Sequence, residues 1–170
     1  MSSFLIISVM ADDRPGLVET LSSIVKDHQG NWLESRMSHL AGKFAGIVHV
    51  QVAESHKTPL TEALIELRNQ NWMITVESGQ AASNENRPCA ALNIVGNDRP
   101  GIVKDVAKAL AALGVNVLEL NTQFESAAMS AEPLFKTQAS IQIPDNVDLD
   151  GVRDALEDLS NDLMVEISEA

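Results

Sequence analysis

Residues 11–21 read ADDRPGLVETL, and residues 96–106 read GNDRPGIVKDV. Asp13-Arg14-Pro15-Gly16 thus returns as Asp98-Arg99-Pro100-Gly101, each time between an apolar run and a helical pattern. The offset of 85 holds downstream: Asn31 falls on Asn116, Leu33 on Leu118 and Glu34 on Glu119. Farther on the offset becomes 91, with Phe44 on Phe135 and Val50 on Ile141. The second copy therefore carries 91 − 85 = 6 extra residues in one loop, 125–133. Two copies are too few for a solenoid, and each is long enough to be a small domain. The spacing predicts one domain over 1–79, a polar, turn-rich linker over 80–88 and a second domain over 89–170.

Each copy has the same order of patterns. FLIISVMA is a strand-length apolar run, and the stretch after Pro15 puts Leu17, Leu21, Ile24 and Val25 on one helical face. Ala41-Gly42-Lys43 reads as the turn of a hairpin, after which Phe44, Val48, Val50 and Val52 alternate with period 2. A second amphipathic helix follows, on Leu60, Ala63, Leu64 and Leu67, and WMITVES closes the unit. The second copy repeats this, with helices on Ile102, Val106, Leu110 and Leu113 and on Leu149, Val152, Leu156 and Leu159. Strand-helix-strand-strand-helix-strand is the split βαβ, ferredoxin-like unit, an α+β fold with an antiparallel sheet and both helices on one face. The other face stays open, and Trp32, Leu40 and Ile47 are expected to lie on it in the first copy. A half-apolar open face points to packing against another sheet or domain.

The repeated motif has a physical reading. Asp13 and Asp98 stand where a side chain caps a helix start. Pro15 and Pro100 suit a first turn, where a missing N–H costs nothing. Gly16 and Gly101 let another backbone or a small ligand approach the helix start closely. A helix start also attracts a carboxylate through its unpaired N–H groups and its dipole. A well-built strand-to-helix turn explains each residue by itself. The motif written twice, with Asn31 and Asn116 opening the next strand each time, points further, to a site. Asn31 and Asn116 are expected beside the turn, where an amide can bridge both ends of an amino acid.

Strand, DRPG[LI]V helix start and strand-opening asparagine together resemble the ACT domain, a regulatory amino-acid-binding module. The resemblance covers essentially the whole chain as two tandem copies. A pair of this length is similar to the glycine cleavage system transcriptional repressor family of Gram-negative bacteria. The resemblance implies a ligand site between paired domains, which by position falls on Gly16 and Asn31 and on Gly101 and Asn116. It implies a small amino acid, glycine, as ligand, and a DNA-binding transcriptional activator as protein partner. An amino-acid-sensing module that docks on and controls a metabolic enzyme of another pathway is the alternative.

Other constellations carry less. His39 and His49 fall out of register across the hairpin, which argues against a metal site. Asp12 and Asp13 are neighbours whose side chains diverge, unsuited to an acid–base pair. Cys89 reads as a structural thiol. Trp32 and Trp72 begin strands and read as packing groups. Arg14 with Asn31, or Arg99 with Asn116, superficially matches the arginine and asparagine of acylphosphatases, but the glycine-rich phosphate loop is absent. The expectation is a regulator without cofactor or enzymatic activity, self-associating as a homodimer or higher oligomer.

Lysine and arginine number 12 against 24 acids, for a net charge of −12. Phosphate backbones and anionic membranes repel such a chain. One cysteine forms no internal disulfide, and the N-terminal apolar run lacks the basic n-region of a signal peptide, so a cytoplasmic location is expected. The purified protein alone is expected not to shift operator DNA in a gel at about 0.15 M salt. A sequence-preferring shift would contradict control through a protein partner.

Overall fold

The computed structural model describes residues 1–81, 88–126 and 132–169. Positions 82–87 of the expected linker and 127–131 of the extra loop lie outside the described residues. The chain divides into two compact units, 1–84 and 85–170. The first runs β1 (Ser2–Asp12), α1 (Leu17–Asp27), β2 (Asn31–Leu40), β3 (Lys43–Ala53), α2 (Glu54–Glu66) and β4 (Met73–Ser78). The second repeats the order as β5 (Cys89–Asn97), α3 (Ile102–Ala112), β6 (Asn116–Ser126), β7 (Pro133–Gln142), α4 (Leu149–Glu157) and β8 (Met164–Glu169). The sheets have strand orders β2-β3-β1-β4 and β6-β7-β5-β8, all neighbours antiparallel. This is the expected pair of βαββαβ units.

Period-2 alternation sets the two faces of each sheet. In the first, Leu5, Ile7 and Val9 of β1 and Val48, Val50 and Val52 of β3 are buried. They meet Leu17, Leu21 and Val25 of α1 and Leu60 and Leu64 of α2. The second core repeats this with Leu92, Ile94 and Ile141 under Val106, Leu110, Val152 and Leu156. The β2–β3 turn is a two-residue reversal with Ala41 at φ 49° and Gly42 at φ 79°, the type I′ pattern whose twist matches the strands.

Two expectations are corrected. Trp32 lies on the helix side, packed against the core, and not on the open face. Counting back from Leu40 by twos lands on Trp32, but the pairing of β2 with β3 shifts between Trp32 and Glu34. This bulge inserts Leu33 and flips every residue before it to the other face. The second unit bulges at the matching place, between Val117 and Glu119. Leu40 and Ile47 do face the open side, exposed. The second helix of the first unit also begins earlier than its pattern suggests. It starts at Glu54 and carries Pro59 inside, because β3 ends at Ala53 and the chain turns directly into helix.

Leu64 is fully buried between α2 and the sheet. Leu64→Ala is expected to destabilise the protein by roughly 2–5 kcal/mol in chemical denaturation. A loss under about 1 kcal/mol would mean that this core is not formed as described.

Candidate functional site

The two DRPG turns adopt the same conformation. Gly16 has φ 92° and ψ 3°, and Gly101 has φ 88° and ψ 0°. These are the angles of the third residue of a type II turn, with Pro15 and Pro100 in the second position that proline favours. In the second unit the turn closes with Ile102 N–H donating to the Arg99 carbonyl at 3.3 Å. Each glycine is the residue from which its helix departs, α1 from Gly16 and α3 from Gly101. A methyl group at either position would meet nothing within 4 Å. Glycine is required here by the backbone, and the space beside it is open.

Asp13 and Asp98 do not cap the helices, contrary to the sequence expectation. Neither α1 nor α3 has a side-chain cap. The turn spends two residues, proline and glycine, between the aspartate and the helix, which carries the carboxylate out of reach of the first-turn N–H groups. The aspartates act through their backbones: Asp13 N–H donates to the Gly42 carbonyl at 2.9 Å, and Asp98 N–H to the Pro133 carbonyl at 2.9 Å. Both bonds pin the turn to the hairpin. The Asp13 carboxylate faces His39 Nε2 at 3.6 Å. With no side chain at the cap, the first-turn N–H groups of both helices remain available to an external acceptor.

The asparagines are not beside the turns of their own units. Asn31 pairs with Gln51, which pairs with Phe4 near the start of β1. The Gly16 turn follows Asp12, at the other end of that strand. Eight residues of strand, about 27 Å, separate the two levels. In the second unit Asn116 is level with Cys89 through Gln142, while the Gly101 turn follows Asn97. The cause is topological. A strand-helix-strand crossover brings β2 back parallel to β1, so it begins where β1 begins. In each unit the turn therefore lies at one end of the sheet and the amide at the other.

The turns differ in their charges. Arg99 Nη1 pairs with Asp105 Oδ2 at 2.8 Å, folding the guanidinium back onto its own helix. The first copy has Thr20 at that position, whose hydroxyl donates to the Gly16 carbonyl, and Arg14 is exposed. Asp162 supports the second turn, accepting from Asn97 N–H at 2.8 Å. The Ser160 hydroxyl and the Asn97 N–H hold its carboxyl below the usual carboxylate range. Lys43 does the same for Asp12 beside the first turn. Sequence reasoning missed the Arg99–Asp105 pair; a new acid at 105 against Thr20 at the matched position was the signal available. Among the described residues, no group of three or more His, Cys, Asp or Glu side chains is placed to hold a metal, and no helix is long and apolar enough to cross a membrane.

Comparison with known proteins agrees with the fold. Models of the ACT domain match residues 3–77 and 87–165. A crystal structure of an unknown protein from Galdieria sulphuraria superposes with a TM-score of 0.81 at 25% identity, covering 100% of this chain and 99% of the other. A provisionally named glycine cleavage system transcriptional repressor superposes with a TM-score of 0.73 at 15% identity, covering 100% and 98%. At that identity the likeness is one of fold. No curated protein matches the sequence.

Because open space surrounds Gly101, a substitution there meets only backbone strain. Gly101→Ala is expected to cost about 1–2 kcal/mol, and Gly101→Asn less, since asparagine tolerates positive φ. Equal costs in chemical denaturation would contradict the left-handed assignment.

Proposed function

The chain belongs to the ACT-domain family through both of its units, and from that premise we propose that it is an amino-acid-responsive regulator that acts through a protein partner. The ligand is a small amino acid, with glycine the first candidate, and the controlled process is the glycine cleavage system. The chain catalyses nothing in this reading; it is a cytoplasmic negative regulator whose partner contacts the DNA.

The observation that carries the reading is the duplicated helix start: an uncapped first turn, departing from a left-handed glycine with open space beside it. Such a turn binds a carboxylate through backbone N–H groups and the helix dipole. An ammonium group needs an acceptor, which the amide oxygen of Asn31 or Asn116 supplies. Because turn and amide of one unit are about 27 Å apart, each ligand takes its turn and its asparagine from different units, of one chain or of two. Asp13, Gly16 and Asn31 form one set of half-sites, and Asp98, Gly101 and Asn116 the other, the aspartates holding the turns in place. A ligand held by two units stabilises one packing of those units over another and so changes the affinity for the partner. The net charge of −12 supports a protein partner over direct contact with nucleic acid.

Titration calorimetry with glycine, serine and other small amino acids tests this. The wild type is expected to bind one of them. Asn116→Ala is expected to weaken it by roughly 1.5–3 kcal/mol, about ten- to a hundredfold, for one lost hydrogen bond to a charged group. If none binds, the turns are structural alone. If Asn116→Ala and Asn31→Ala both bind as well as wild type, the amides play no part.

A further inference from the structure

The open face of the first sheet carries Asn31 at its end, in register with Gln51 and Phe4, and away from that end its middle is apolar. Its central strands present Phe4, Ile6 and Met10 from β1 and Ala45 and Ile47 from β3. Ile47 is 52% exposed, and at the margins Met73 is 65% and Leu40 78% exposed. The second unit is an internal control. At the positions of Ile47, Ala45 and Ser8 it carries Gln138, Lys136 and Asn93. The same fold in the same chain thus has one face suited to water and one with apolar side chains along its central strands, as buried interfaces have.

Within the chain Arg36 Nη2 pairs with Glu34 Oε1 at 2.8 Å, and the occupant that complements both charges of this exposed pair is an antiparallel copy of the same pair. One row across the sheet reads Glu34, His49, Ile6, Glu77, and the next reads Arg36, Ile47, Ser8, Thr75. We propose that this face packs against the same face of a second copy of the chain. The twofold axis lies between the two sheets, perpendicular to the strands, and passes between those two rows. Each row then meets the other row of the partner. Glu34 opposes the partner's Arg36, and Arg36 the partner's Glu34, while Phe4 lies over the partner's Met10. An axis along the strands would instead set Glu34 against the partner's Glu77 twice. The second unit's face is a poor occupant, since Lys136, Gln138 and Glu166 would be desolvated against hydrocarbon. Packed sheets cross at about 30°, which displaces β2 by about one residue along its partner, within reach of arginine and glutamate side chains. Four strands about 4.8 Å apart and about 26 Å long give a footprint of about 500 Å² per copy. That is the small end of specific interfaces, so the dimer is reversible.

Sedimentation of the full chain over a wide concentration range tests this independently of any ligand. The wild type is expected to shift from monomer to dimer with concentration. Ile47→Lys and the uncharged Ile47→Gln, both at an exposed position, are expected to weaken dimerisation, the lysine by at least about a hundredfold, and Gln138→Lys to leave it unchanged. Glu34→Arg and Arg36→Glu are each expected to remain monomeric where wild type is dimeric. Mixed in equal amounts, they restore both ion pairs and form a heterodimer. A wild type that stays monomeric overturns the proposal. So does a dimer that both Ile47 variants leave intact, which would place the interface on the strand edges. A mixture of the two charge variants that remains monomeric overturns the twofold arrangement.

Discussion

Each unit turns on a single backbone reversal, the left-handed glycine between its first strand and its first helix. Gly16 at φ 92° and Gly101 at φ 88° let the chain leave the sheet and start a helix within four residues. That reversal directs α1 and α3 back across the sheet, so that β2 and β6 start at the level of the first strand's beginning and take the sheet edge, paired with β3 and β7. It also leaves the helix start without a side-chain cap. The conformation that makes the fold therefore leaves unpaired N–H groups at one end of it. Fold and candidate site are two results of the same turn.

The return crossover imposes the second constraint. Because β2 runs parallel to β1, its first residue lies at the far end of the sheet from the turn. Asn31 and Gly16 are close in sequence pattern and far apart in space. A single unit cannot grip both ends of an amino acid with these groups. In the proposed reading the ligand draws these groups from different units, which ties ligand occupancy to how those units pack. This is the form in which a small ligand carries a coupling free energy.

The fold was legible because its signals are periodic and local. Val48, Val50 and Val52 on one strand, and Leu17, Leu21 and Val25 on one helix, were readable as core because spacing alone decides which side a residue faces. Trp32 was misplaced because one inserted residue, Leu33, reverses that rule and leaves no mark in the pattern. Asp13 was misread as a cap because the sequence shows the order Asp-Arg-Pro-Gly but not the sign of φ at the glycine. The separation of Asn31 from the turn follows from strand direction, which a motif does not carry. The Arg99–Asp105 pair distinguishes two turns that are identical as motifs. Local periodicity reveals elements; the site depends on how they are wound.

The central claim is that the glycine turns and the strand-opening asparagines hold one amino acid between them. Nitrogen–proton correlation spectra of the full chain, recorded while glycine is added, test it residue by residue. The expected result is saturable shifts at the first-turn amides of Val18 and Glu19 or of Val103 and Lys104, together with the side-chain amide of Asn31 or Asn116. Shifts confined to other surfaces, or spectra unmoved by any small amino acid, would contradict it.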